Sequence, residues 1–131
     1  MTEKITLNNG MVAIAVANPT ADIMAARIFI GVGSRRETRK NAGITHLLSA
    51  VMTKGTDRLT SMDIAEKVES IGANLGTDAT PDYFLLSLKT VSADFSQMLR
   101  LAGELLRSPT FPEAEIELEL CITLQAFRAF I

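Results

Sequence analysis

Residues 43–56 read Gly43-Ile44-Thr45-His46-Leu47-Leu48-Ser49-Ala50-Val51-Met52-Thr53-Lys54-Gly55-Thr56. Large apolar side chains recur within this stretch at intervals of three and four residues, which is the spacing of a helix with one face toward a core. They are Ile44, Leu47, Leu48, Val51 and Met52. The pattern therefore predicts an amphipathic helix that places His46, Ser49 and Ala50 on its opposite or flanking face.

The residues before this helix predict a hairpin and a longer strand. Asn8-Asn9-Gly10 separates two short apolar runs, residues 5–7 and 11–16, and Asn and Gly accept the positive φ of a tight hairpin turn. From Met24 to Val32 the even-numbered side chains are the more apolar set, which predicts a strand that turns them toward the core. Residues 34–41 are mostly charged and polar, so we expect a solvated loop there, with contact to an anion or a partner as the alternative.

The residues after the helix predict a second helix and two more strands. Thr60 and Asp63 can cap the start of this second helix. Residues 74–79 and 84–91 then lie on either side of Thr80-Pro81-Asp82 and are typical of a strand pair joined by a turn.

Two further helices complete the predicted order. Asp94 can cap the first of them, which stops before Pro109 because proline cannot continue a helix. The second opens with Glu113 and Glu115, since carboxylates favour a helix N-terminus, and continues without Gly or Pro to Ile131. Strands and helices in this order predict an α+β fold with the helices packed on one face of a sheet.

The composition limits the class of protein. The chain has 131 residues, about the size of one domain, and its 47% of hydrophobic residues exclude a disordered chain. The formal net charge of -2 offers no basic excess for a phosphate backbone, so nucleic acid is not an expected partner. No apolar run approaches the roughly 18 residues of a membrane span, so none is expected.

Cysteine and histidine each occur once, as Cys121 and His46. A zinc site with three or four protein ligands would therefore have to draw on carboxylates. Cys121 cannot form an intramolecular disulfide, and the first residues lack the charged-then-apolar layout of a signal peptide. We expect a cytoplasmic location, with an organelle as the open alternative.

Stretches along the whole sequence, taken in order, resemble the pitrilysin/insulinase family of zinc peptidases. This family includes mitochondrial processing peptidase and the core subunits of the respiratory cytochrome bc1 complex. The matching stretches are Asn9-Gly10 and residues 33–37, 43–56, 69–74, 77–80, 108–111 and 115–117. The resemblance implies a mixed β-sheet with helices packed on one face, as in the repeats of that family.

The resemblance assigns a degenerate zinc motif to the first helix. Family members that act as peptidases carry His-x-x-Glu-His there: the two His bind Zn²⁺, and the Glu takes a proton from zinc-bound water. In this chain His46 matches the first ligand, Ser49 stands in place of the base, and Ala50 stands in place of the second His. The family's third ligand, a late Glu in the last helix, corresponds to Ala126, and Glu119 matches an acidic residue seven positions earlier.

The resemblance thus implies a vestigial site, His46 and Glu119, that lacks the general base and two of three ligands. It implies no bound zinc and no peptidase activity of the chain itself. It further implies a non-catalytic subunit that pairs with a zinc-bearing catalytic subunit of the family to form a chamber for peptide substrates. The first alternative is a structural scaffold like the respiratory core subunits, and the second is a zinc metalloendopeptidase with an unconventional site made from His46, Ser49 and Glu119.

The subunits of this family contain two related repeats, so we interpret residues 1–131 as a partial N-terminal domain that is truncated in its last helix. The apolar stripe of that helix would then lack the elements that cover it. The stripe consists of Ile116, Leu120, Leu124 and Phe127. Because exposed apolar stripes favour association, we expect the fragment to self-associate.

Overall fold

The computed structural model describes residues 1–130. The prediction that the last helix continues to Ile131 therefore concerns, at its final residue, a position outside the described part. Five strands and four helices form within it, close to the positions that the sequence predicts. They are β1 (Thr2–Thr6), β2 (Val12–Val16), β3 (Ile23–Ile30), α1 (Ile44–Val51), α2 (Ser61–Ser70), β4 (Asn74–Ala79), β5 (Phe84–Val91), α3 (Phe95–Arg107) and α4 (Glu113–Ala129).

The strands form two sheets. A hairpin pairs β1 with β2, and a three-stranded sheet has the order β3-β5-β4. Every pairing among the described strands is antiparallel, whereas a mixed sheet was expected. The reason is that β4 and β5 are joined by a tight turn, which permits only antiparallel pairing, and β5 then separates β3 from β4, the two strands that run in the same direction. The α+β class is confirmed.

One face of the three-stranded sheet carries the core. Leu86 and Leu88 of β5 are buried there, and Ala26 and Ile28 of β3 pack against the same cluster, which confirms that the even-numbered side of β3 faces inward. The helices α2 and α3 cover this face. The buried residues that they contribute are Ile64, Met98, Leu101, Ala102 and Leu105.

The predicted stripe of α1 is only partly buried. Val51 and Met52 are buried and Leu47 is half-buried, but Ile44 is 55% exposed. In the first turn of the helix the buried residue is Thr45 instead. The face that meets the core is therefore rotated by about one residue at this end, and the expectation for Ile44 was wrong.

The starts of α2 and α3 are built differently. Thr60 and Asp63 form a complete capping box at α2, as predicted. Asp94 makes no side-chain hydrogen bond at the start of α3, so the predicted cap is absent from the described structure. Residues 92–94 form a 3-10 turn that continues directly into the helix, which leaves the side chain without the geometry of a cap.

The last helix packs against α1 through one narrow face. Half-buried residues recur on this face with helical spacing and are Glu115, Ile116, Glu119 and Thr123. The remainder of the predicted apolar stripe is exposed, since Leu124 is 59% and Phe127 66% accessible. No helix among residues 1–130 is both long enough and apolar enough to cross a bilayer.

The hairpin of β1 and β2 is exposed along its full length. The turn between its strands has Gly10 at a φ of 87°, as the sequence predicts. Its apolar side chains include Ile14 and Val16, which are 65% and 71% accessible. A lone two-stranded hairpin has little stability of its own in water.

Candidate functional site

The start of α1 is held by a carboxylate from the preceding loop. Oε2 of Glu37 accepts the backbone N–H of Gly43, and Oε1 accepts the backbone N–H of Thr45, each at 2.8 Å. These N–H groups are among the donors that a helix leaves unpaired in its first turn. The loop 34–41 is largely exposed, as expected for a solvated connection, but Glu37 is half-buried and fixes the helix that carries His46.

The same contacts alter the acidity of Glu37. Hydrogen bonds from the Thr45 side chain and then from the N–H groups of Gly43 and Thr45 lower the pKa of its carboxyl below the ordinary 4.5. Each of these donors stabilises the charged form, as does the positive end of the helix dipole. Glu37 is therefore an anchor for α1 in its ionised state.

The three motif positions on α1 face different surroundings. His46 is exposed, and its imidazole makes no hydrogen bond with another described residue. Ser49 is half-buried, and its Oγ donates to the backbone carbonyl of His46 at 2.7 Å. Ala50 is half-buried and offers only a methyl group. The Ser49 hydroxyl therefore bonds to its own helix, and no base activates it as a nucleophile.

A hydrogen bond connects α1 to the edge of the sheet. The Oγ1 hydroxyl of Thr77, on β4, donates to the backbone carbonyl of Ser49. β4 is an outer strand of the three-stranded sheet, so its second edge is unpaired within the described residues. Residues 46–50 therefore lie beside a strand edge that no other described strand pairs with.

Helix α4 supplies the remaining predicted positions. Glu119 lies on the half-buried face, the side on which α4 meets α1, whereas Ala126 is exposed. Among residues 1–130, no group of three or more His, Cys, Asp or Glu side chains lies close enough together to hold a metal ion. Alanine has no donor atom, so His46 and Glu119 could supply at most two of the three protein ligands that catalytic zinc uses. The residues present do not fit such a zinc centre.

Sequence reasoning missed two polar contacts that shape this region. Glu37 precedes the helix by seven residues, beyond the distance of a standard capping pattern, so only its acidic character signalled the role. The hydroxyl of Thr77 bonds across 28 residues, and no local pattern indicates such a long-range contact.

Comparison with known proteins assigns the chain to a family. The model of the family described as Insulinase (Peptidase family M16) matches residues 12–130. The chain therefore belongs to the insulinase family, and the resemblance inferred from its motifs is confirmed.

Two relatives and one solved structure illustrate the range of this family. The chain is 28% identical over 124 residues, 95% of its length, to the beta subunit of mitochondrial-processing peptidase from Rattus norvegicus, of which it covers 25%. It is 28% identical over the same length to subunit 1 of the mitochondrial cytochrome b-c1 complex from Homo sapiens, of which it covers 26%. The fold matches the peptidase M16 inactive domain from Pseudomonas fluorescens with a TM-score of 0.92 at 23% identity, over 98% of this chain and 32% of that one.

The chain thus spans about a quarter of the length of these two relatives. Proteins similar to it carry names of three kinds: a processing peptidase subunit, a respiratory complex subunit and an inactive peptidase domain. Membership of the family alone does not decide between catalysis and structural roles.

Proposed function

We propose that the chain is part of a non-catalytic subunit that pairs with a catalytic metallopeptidase subunit of the same family and helps to form its peptide-binding chamber. The observation that carries the proposal is that the zinc motif is incomplete although the contacts that position its helix are present. His46 lacks its partner ligands, yet Glu37 and Thr77 still hold α1 in place beside β4.

The unpaired edge of β4 gives this subunit a way to bind peptide. An extended peptide can add a strand to a free sheet edge, with main-chain hydrogen bonds for affinity and side-chain contacts for selectivity. On β4, Asp78 is exposed, and the hydroxyl of Thr77 is hydrogen-bonded to the backbone of α1. In the proposed complex, the zinc of the partner would cleave, and this edge would orient the substrate.

The first test identifies the partner. We expect the protein purified from its native source to carry a zinc-bearing family subunit, and the complex to cleave peptides that the isolated chain leaves intact. Subunits of a respiratory membrane complex in place of a peptidase would instead support the structural alternative. Cleavage by the isolated chain would support the third role, a metalloendopeptidase with an unconventional site.

A second test addresses the metal. We expect elemental analysis of the purified chain to find no stoichiometric zinc. One zinc per chain that disappears in His46→Ala would contradict the proposal. The triple variant Ser49→Glu, Ala50→His and Ala126→Glu restores the missing groups, and we expect it to bind zinc if the correspondence with the family motif is right.

Hydrogen exchange provides a direct test of the strand edge. On addition of a peptide substrate of the complex, we expect the amides of β4 to exchange more slowly, because their N–H groups become hydrogen-bonded. Unchanged exchange in β4 with slower exchange elsewhere would contradict edge binding without affecting the pairing of subunits.

The proposed location remains cytoplasmic, and fractionation of the native source tests it.

A further inference from the structure

A long groove runs beside α3, away from the vestigial site. Its volume is about 970 Å³, and one wall consists of residues 57–59 together with Lys67 of α2. The other wall is a stripe of α3 that includes Ser96, Arg100, Gly103 and Arg107. None of the lining residues belongs to α1, α4 or β4, so the groove is separate from the surface used in the proposed function.

The groove concentrates positive charge in a chain whose net charge is -2. Four basic side chains line it, Arg58, Lys67, Arg100 and Arg107, against two acidic ones. One of those acids, Glu104, is already paired with a guanidinium. Arg100 and Arg107 form no ion pair with another described residue, and Lys67 interacts with Glu104 and Asp63 only at longer range, so these charges can meet an incoming anion.

Two contacts within the chain compensate the negative charge of Glu104. Its Oε2 lies 2.7 Å from Nη2 of Arg58, and the hydroxyl of the buried Thr56 donates to Oε1 at 2.7 Å. The contact with Arg58 and then the hydroxyl of Thr56 lower the pKa of Glu104, so the carboxylate stays charged and paired. This pair also fixes one wall of the groove against α3.

Packing within the chain does not explain the glycine in the middle of α3. A Cβ added to Gly103 would meet no atom within 4 Å, so the chain has room for a side chain at this position. Glycine is the least favourable residue in a helix interior apart from proline. Its missing side chain leaves the α3 backbone accessible in the groove, as a close approach by another chain requires.

We infer that this groove binds an acidic segment of a partner protein. The stripe from Ser96 to Arg107 extends for roughly 17 Å at the rise of an α-helix, a length that suits a peptide rather than a small anion. Between the charges, the half-buried Leu59 contributes apolar surface, while Met98 and Leu101 form the buried floor. Carboxylates of a peptide can pair with the basic residues while an apolar side chain packs against Leu59.

The test measures binding of a fluorescein-labelled peptide of sixteen residues, made of Glu, Leu and Ala, to the full chain by anisotropy. A second peptide has Gln in place of every Glu. We expect the acidic peptide to bind, the Gln peptide to bind at least about tenfold more weakly, and the difference to shrink as salt rises. Equal affinities for the two peptides would overturn the inference.

Variants locate the binding site. Arg100→Gln together with Arg107→Gln is expected to weaken binding of the acidic peptide by about tenfold or more. The matched control is Arg36→Gln with Arg39→Gln, which removes two positive charges outside the groove and is expected to leave binding unchanged. An equal loss in both double variants would overturn the assignment to the groove. Duplex DNA that displaces the peptide at lower concentration would instead indicate a nucleic-acid surface and would also overturn it.

Gly103→Leu separates binding from stability. The variant fills open space with a strong helix former, so its thermal unfolding midpoint is expected to equal or exceed that of the parent. The same side chain occupies the groove, and we expect it to abolish binding of the acidic peptide. A stable variant that binds normally would contradict the inference.

Discussion

Helices α3 and α4 both mix charged and apolar residues, but the described structure buries them very differently. α3 contributes four fully buried residues, among them Met98 and Leu105, whereas α4 contributes none. α3 concentrates its apolar side chains on one face and lies across the sheet. α4 has apolar side chains on several faces and makes its main contact with α1.

The difference shows where the stability of this chain resides. The sheet, α2 and α3 share a continuous core, while α4 and the hairpin are attached at its margin. Apolar surface that stays exposed on a helix favours association with a further surface. Self-association of the 131-residue chain remains a prediction, and sedimentation velocity at several concentrations tests it.

The largest effect is expected from Leu105→Ala. Leu105 is completely buried, so its truncation should lower the free energy of unfolding by about 2–5 kcal/mol, measured by urea titration. Leu124→Ala on α4 is the matched control, and at 59% exposure it should change that free energy by less than about 0.5 kcal/mol. A loss in the control as large as in Leu105→Ala would mean that the outer face of α4 is covered in solution.

The contrast between packed and open positions recurs at two glycines near the end of β3. A Cβ on Gly33 would clash with the backbone carbonyl oxygens of Thr80 and Pro81, whereas one on Gly31 would meet nothing within 4 Å. Gly33→Ala should therefore lower the free energy of unfolding by about 1–3 kcal/mol, with Gly31→Ala close to the parent. Equal midpoints for the two variants would indicate that the turn at residues 80–81 moves freely.

Helix starts extend the same comparison, because α2 has a capping box and α4 has no side-chain cap. The hydroxyl of Thr60 accepts the N–H of Asp63 at 3.2 Å, so Thr60→Ala should cost about 1 kcal/mol of stability. Ser70→Ala is the control, since the Ser70 hydroxyl bonds only to the carbonyl of Lys67 within the helix. An unchanged urea midpoint in Thr60→Ala would show that α2 derives its stability from packing alone.

The smallest effect is expected for Glu37 and depends on pH. Because the pKa of Glu37 is lowered in the folded protein, its contribution to stability is full above about pH 4.5 and is lost as the pH falls through the depressed value. Glu37→Gln should therefore be less stable than the parent at pH 7, and the gap should narrow in acid. Glu117→Gln, at an exposed position on α4, is the control. A gap that stays constant from pH 7 to pH 3 would contradict the role of the charge.

Much of this fold was predictable because its signals are local. The apolar spacing of α1 and α3, the Asn-Gly turn and the capping box of α2 each lie within a few residues of the element they specify. The expectation of a mixed sheet failed at β5, since strand order depends on contacts between distant segments. The expected burial of Ile44 failed because a helix can rotate slightly against the core without changing its sequence pattern.

The residues proposed for the candidate site lie together in the sequence, but the contacts that position them do not. His46, Ser49 and Ala50 occupy one segment, and their departure from the family motif is visible from the sequence alone. The contacts that hold this segment come from Glu37 and Thr77, which lie on a loop and on a strand far along the chain. The charge of the α3 groove was likewise hidden, because its basic residues come from three separate elements.

The anchors of α1 bear on how such a domain can change its chemistry. Glu37 bonds to backbone N–H groups, and Thr77 bonds to a backbone carbonyl, so neither anchor depends on the side chains at positions 46 and 50. Other side chains can thus stand at positions 46 and 50 while the helix stays in place. The contacts that position this helix are therefore separate from the side chains that it displays.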